Sequence, residues 1–239
     1  MKVHALMTSY QGEKSVILSA LLQKMAGEPK NKNPEVLLKE GLAELGFSYS
    51  EEQIHAFMTF LFELKKWNRA YSLTALKTDK DIIIKHFLDS ILYLKVIPAH
   101  AIKLADAGTG AGFPAIPIKI IRPAIDITLI ESSRKKTAFL RHIIRVLKLE
   151  GVSILNKRVE ALGKDYEKTY DVIISRATFK VKDFIKIASP YIKENGRLVL
   201  SKGPKITEEI KDLKQESLTK KTVRLPFINN ERTLLVIKC

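Results

Sequence analysis

Residues 104–113, LADAGTGAGF, constrain the fold more than any other stretch. An apolar run reaches Asp106, glycines follow at 108, 110 and 112, and Phe113 opens a new apolar run. This reads as a strand, a sharp turn and the start of a helix. Glycines allow the bend and admit a ligand against the backbone, because no Cβ stands in the way. In an open α/β sheet, such a turn lies beyond the carboxyl end of a strand, where ligands bind.

The chain around this segment alternates as the turn requires. Strands are expected over residues 102–107, 127–130, 152–155, 171–175, 197–200, 222–225 and 233–237. Helices are expected over 113–121, 135–148 and 181–192, with a charged one near 206–215. Alternation of this kind implies an α/β fold, a mostly parallel sheet of about seven strands covered by helices on both faces.

Upstream the periodicity is helical. Val36, Leu38, Leu42 and Leu45 share a side, with Gly46 as a stop. Ser50-Glu51-Glu52-Gln53 forms a capping box ahead of Ile54, Phe57, Met58, Leu61, Leu64 and Trp67. Thr78 repeats the device ahead of Ile82, Ile83, His86, Phe87, Ser90, Ile91 and Leu94, and Pro98 ends the run. A short amphipathic helix over 16–25 is broken by the polar Gly/Pro/Asn/Lys run at 27–34. The expected organisation is an extension and linker (1–33), a helical N-terminal region (34–100) and a Rossmann-like domain (101–239).

Charge narrows the partners. The 239 residues carry 41 Lys and Arg against 26 Asp and Glu, an excess of +15. Such a surface attracts polyanions, and nucleic acid is the natural one because each neutralised phosphate releases counterions. A merely solvated basic surface is the alternative. The single cysteine, Cys239, is the last residue, which leaves no internal disulfide and no cysteine-built metal site. A cytoplasmic protein is expected, since apolar runs stop well short of the ~20 residues of a membrane span.

The glycine spacing differs from the dinucleotide fingerprint: the third glycine comes one residue early, and Asp106 stands two residues before the first. That form suits S-adenosylmethionine, whose ammonium and sulfonium call for carboxylates and carbonyls rather than a helix N-terminus. Glu131 ends the next strand, at the spacing from which a carboxylate accepts from ribose hydroxyls. Alone, the glycine turn is equally a structural bend. With Asp106 and Glu131 in register it marks a cofactor site.

Three motifs in order, WNRAYSLT (67–74), HFLDS (86–90) and DAGTGAGFP (106–114), resemble the RsmG/GidB family of 16S ribosomal RNA guanine-N7 methyltransferases. Lys136 with Phe139-Leu140, Arg158-Val159-Glu160, Ser175-Arg176-Ala177 and Lys202-Gly203 extend the resemblance over roughly residues 35–239. It implies a Rossmann-like methyltransferase fold and methylation of N7 of a guanine in the small ribosomal subunit. It implies S-adenosylmethionine bound through Gly108, Phe113, Glu131, Val159, Glu160 and Arg176, to which the loop chemistry adds Asp106, Gly110 and Gly112. Two positions depart from the family pattern: Ser72 stands where Asn is common and Ala115 where Gly is.

Several residues keep two readings. Asn68 is an RNA contact or a brace at a helix end, and Trp67 is RNA-facing or core. His86 and Asp89, three apart on one helical face, are expected to pair with each other rather than to hold a metal. Arg176 is a ligand or a structural ion-pair partner. Arg134, Lys135, Lys136, Arg141, Arg145 and Lys148 form a basic helix face, solvated or RNA-contacting, and Lys202 is a further candidate RNA contact. A guanine N7 already has a free lone pair, so no general base is required and none is assigned. No metal is expected, and a monomer is favoured. The competing classes are a methyltransferase for a protein or small molecule, and a non-catalytic RNA-binding assembly factor.

Overall fold

Among the described residues, seven strands form one sheet in the order β3-β2-β1-β4-β5-β7-β6. They are β1 (Lys103–Ala107), β2 (Asp126–Ile130), β3 (Val152–Leu155), β4 (Tyr170–Arg176), β5 (Ile192–Lys202), β6 (Leu218–Arg224) and β7 (Glu231–Lys238). Pairings from β3 through β5 are parallel, whereas β7 pairs antiparallel with both β5 and β6. The computed structural model describes residues 32–176, 179–203, 209 and 218–239. The expected helix over 16–25 lies outside the described residues, as does the one over 206–215 apart from Glu209. Contacts divide the chain into Met1–Asn33 and Pro34–Cys239.

The helical region supplies α1 (Pro34–Glu44) and α2 (Glu51–Tyr71). Ser50 caps α2 with the full reciprocal box that its sequence announces. The next helix, α3, is composite: α-helical at Asp79–Ile82, π-helical at Ile83–Leu88, α-helical again at Asp89–Ile91 and 3₁₀ at Leu92–Lys95. The 3.6-residue pattern missed the π turns, because apolar residues occupy both inward directions there. In the Rossmann-like part, α4 (Ala115–Ile121) follows β1, α5 (Arg134–Val146) follows β2 and α6 (Val181–Ala188) follows β4. The helix expected over 181–192 therefore ends early: Pro190 interrupts it in a 3₁₀ turn, and Ile192 already belongs to β5.

One apolar cluster joins α1, α2 and α3 to α4, α5 and one face of β1, β2 and β4. Fully buried rings fill its centre, with Phe60 stacked on Phe87 at 5.4 Å and on Phe113 at 5.1 Å. A second cluster lies on the other face, where Phe184 of α6 meets Ile173 and Leu198. The N-terminal helices thus cover one side of the sheet and close over the residues that follow β1. Among the described residues, no helix is long and apolar enough to cross a membrane.

Helix α2 ends at Ser72, whose φ of 50° and ψ of 52° lie in the left-handed region and whose N–H donates to Asn68 O at 3.2 Å. A serine Cβ is strained there, and Asn tolerates the conformation better. Ser72→Asn is therefore expected to raise stability by roughly 0.5–1 kcal/mol, about 2 °C in Tm for a chain of this size. Thermal unfolding of the two proteins checks it, and a lower Tm for the variant would contradict the strain.

Candidate active site

The turn after β1 is held by backbone hydrogen bonds to the strand beside it. Gly108 N and Thr109 N both donate to Ile130 O, at 2.9 and 3.2 Å, and Gly110 N donates to Glu131 Oε2 at 3.0 Å. Glycines 108, 110 and 112 have φ of 73°, 63° and 93°. Position 112 is doubly restricted, because a Cβ there would also strike the Ile116 side chain. Glu131 is buried and points back at this turn, its second oxygen accepting from Ser133 N at 2.8 Å. Asn156, just past β3, donates to the carbonyls of Glu131 and Ser132 at 2.9 and 3.0 Å, tying the ends of β2 and β3 together.

These strand ends enclose a cleft of about 310 Å³ lined by Gly108, Glu131, Lys136, Lys157, Arg158, Val159, Glu160, Ile130, Ser132 and Phe179. Of the residues expected from sequence, Gly108, Glu131, Val159, Glu160 and Lys136 meet here. Lys136 Nζ stands 4.0 Å from Glu131 Oε2. Ser132, Lys157 and Phe179 were not singled out from sequence, although Ser132 and Lys157 sit just beyond β2 and β3, where sheet geometry places ligands.

Asp106 lies beneath the turn rather than in the cleft, with no exposed surface. Its Oδ2 accepts from Ala115 N at 3.2 Å, at the start of α4, while Oδ1 has no hydrogen-bond partner. The buried Thr109 hydroxyl faces the same carboxyl, near enough to favour its charged form although the two do not meet in good hydrogen-bond geometry. Burial pushes the Asp106 carboxyl up to about 7, with Thr109, the Ala115 N–H and the more distant Arg176 pulling the other way.

Phe113 and Arg176 join a second group of residues, behind the turn. The Arg176 guanidinium lies 5.3 Å from the Phe113 ring centroid and donates to His86 Nδ1 at 3.0 Å, Lys85 O at 3.2 Å and Asp89 Oδ2 at 3.4 Å. The His86 ring stacks on Phe113 at 4.4 Å. Arginine only donates, so His86 Nδ1 accepts and its Nε2–H is left to donate to Thr74 Oγ1 at 2.7 Å. Burial, then the Arg176 charge, push the His86 pKa down to about 3, which keeps the ring neutral at physiological pH. The expected His86–Asp89 pair does not form. The π turns aim both residues at Arg176 instead, and Asp89 also accepts from Arg232 Nε at 2.8 Å.

The remaining candidates divide. Asn68 is a brace: its amide accepts from Thr74 N at 2.8 Å and donates to Thr74 O at 2.9 Å. Trp67 packs beside Phe139 and His142, with centroids 5.6 and 5.0 Å away. Lys202 donates to Phe179 O and pairs with Glu209 at 3.1 Å. Arg134, Lys135 and Arg141 are exposed along α5, which Ser133 caps at the rim of the cleft. Among the described residues, no group of three or more His, Cys, Asp or Glu is placed to hold a metal ion.

Residues 53–235 match the model of the family described as GidB, rRNA small subunit methyltransferase G. The chain belongs to this family. Among its relatives, the ribosomal RNA small subunit methyltransferase G of Desulforamulus reducens is 38% identical, over 85% of this chain and 89% of the relative. The protein of the same name from Geobacter sp. strain M21 is 36% identical, over 84% and 95%. A putative caffeoyl-CoA O-methyltransferase from Staphylococcus aureus superposes with a TM-score of 0.54 at 15% identity, over 86% of this chain and 99% of that one. The precorrin-6y C5,15-methyltransferase from Geobacter metallireducens does so with 0.50 at 14% identity, over 63% and 87%. At these identities the likeness is one of fold, a Rossmann-like methyltransferase sheet with a helical N-terminal region added.

The raised Asp106 pKa has a consequence for stability. Between about pH 4 and pH 7 the folded protein keeps a proton that the unfolded chain, with an ordinary Asp near 3.8, has released. This contribution is complete below pH 4 and declines until about pH 7. Denaturant unfolding at a series of pH values should show Asp106→Asn losing less stability than the parent over that window. Parallel curves would contradict the buried protonated carboxyl.

Proposed function

We propose that the chain is an S-adenosylmethionine-dependent methyltransferase that methylates N7 of a guanine in small-subunit ribosomal RNA. The cleft at Gly108 and Glu131 carries this reading, within a family whose named members act on that RNA. Its volume sits at the low end of small-molecule sites, about 300–1,000 Å³. The residues fit a cationic nucleoside: Glu131 offers a buried carboxylate to ribose hydroxyls, and Gly108 leaves the backbone open to close approach. Beneath them, the Asp106 carboxyl and Thr109 hydroxyl hold unused hydrogen-bonding capacity. Val159 and Glu160 close the adenosine side, and Arg176, reached across Phe113, supports the turn from behind.

When bound, S-adenosylmethionine supplies a methyl carbon made electrophilic by its sulfonium. The protein's share of the chemistry is placement. A guanine N7 carries an in-plane lone pair at neutral pH, so no side chain has to remove a proton first. His86 agrees with this, since both ring nitrogens are occupied and the ring stays neutral. Holding acceptor and methyl carbon in line at about 3–3.5 Å, with water excluded, accounts for the acceleration that such a site provides. The exposed Arg134, Lys135 and Arg141, with Lys136 at the rim, are the cations assigned to the phosphates flanking the target nucleotide, and the +15 excess gives the long-range attraction.

Incubation with labelled S-adenosylmethionine and small ribosomal subunits, naked ribosomal RNA or ribosomal protein tests the assignment. Label is expected in RNA alone, and label confined to protein or small molecules would overturn it. Glu131→Gln keeps the shape of the side chain and removes its charge, so the cofactor dissociation constant is expected to rise roughly tenfold. An unchanged value by calorimetry would remove Glu131 from the site.

A further inference from the structure

Helix α2 carries an exposed edge that neither the core nor the cleft uses. Phe62 is 65% exposed, unusual for so large an apolar ring. Lys66 and Arg69, four and seven residues on, lie on the same helical face and are exposed, as is Tyr71, whose ring packs 5.3 Å from Trp67.

This edge adjoins the basic face of α5. His142 Nε2 meets Glu63 Oε2 at 2.6 Å and Phe139 packs on Trp67, so the two helices run antiparallel in contact. The C-terminal end of α2 therefore lies toward the start of α5, where Ser132 and Lys136 border the cleft. Toward the cleft end of the paired helices the exposed charge is positive. Beyond the first turn of α2, where Glu51 and Glu52 stand at the far end from the cleft, the carboxylate of α2 is Glu63, turned inward onto His142, and α5 carries none. Lys65 is spent on Asp79, whereas Arg134, Lys135, Arg141, Arg145 and Lys148 are exposed.

We propose that this edge of α2 is a docking strip for single-stranded RNA leading away from the target nucleotide, with Phe62 as a stacking platform for a base and Lys66 and Arg69 as phosphate contacts. The proposal rests on the RNA reading above and adds to it the path of the strand. An aromatic ring flanked by cations suits unpaired RNA, whose bases offer a flat face and whose phosphates recur along the strand. A second copy of this chain, carrying the same excess of positive charge, would be repelled by the same strip. The α5 face alone reads as a general electrostatic approach surface; the exposed ring beside it points to unstacked bases.

The test is methyl-transfer kinetics on the RNA substrate that the wild-type chain accepts, with cofactor affinity measured in parallel. Phe62→Ala should raise the RNA KM roughly tenfold while leaving the cofactor dissociation constant and Tm unchanged, and Phe62→Tyr, which keeps the platform, should restore it. Lys66→Ala with Arg69→Ala should lessen the dependence of log KM on log salt by about 0.7 per side chain removed. Unchanged RNA KM and salt slope in these variants would overturn the strip, and so would a change confined to self-association in sedimentation. A wild-type chain that labels no RNA at all would instead overturn the functional reading beneath it, and the two failures are thereby distinct.

Discussion

The site depends on the Ile130 carbonyl, which accepts from both Gly108 N and Thr109 N. That one oxygen, at the end of β2, holds the turn that ends β1. Glu131, the next residue, completes the hold through Gly110 N. The turn follows a path that only glycines take without strain, and its stability comes from these bonds to the neighbouring strand rather than from its own side chains. An open backbone facing a fixed carboxylate results, and every later feature of the cleft is arranged around it.

Support comes from two directions that differ in polarity. Below the turn, the buried Asp106 carboxyl reaches the first N–H of α4 and keeps an unpartnered oxygen, an arrangement whose cost is lowered by holding a proton. Behind it, Arg176 is fixed by a carboxylate, a carbonyl, an imidazole and an aromatic face, and the same imidazole reaches Thr74 in the loop that Asn68 clasps. The N-terminal helices thereby do more than cover the sheet. They bring a polar chain from the residue 72–78 loop to the end of β4, so that hydrogen bonds join the helical region to the residues behind the turn.

Much of this arrangement was legible in the sequence, for identifiable reasons. Strand–turn–helix alternation and the glycine spacing are local signals, and β3 appears over the very residues expected because a short apolar run bounded by Gly151 and Asn156 leaves little choice. Glu131 was readable from its position after a strand. The role of Asp106 was less so: a carboxylate before a glycine turn reads as a ligand, whereas its complete burial depends on α4 packing back across it. The π turns of α3 were hidden, since apolar residues at consecutive positions satisfy either helical winding. Arg176 and Asp89 were visible as charged residues, but their meeting across 87 positions is a product of topology, as is the approach of Arg232 from β7.

In the proposed function the turn at Gly108 and the carboxylate of Glu131 together receive the methyl donor. A crystal structure of the chain with S-adenosylhomocysteine tests this most directly. The ribose is expected on Glu131 and the adenine between Gly108 and Val159; a ligand bound elsewhere, or a nicotinamide nucleotide taking that cleft in its place, would refute the assignment.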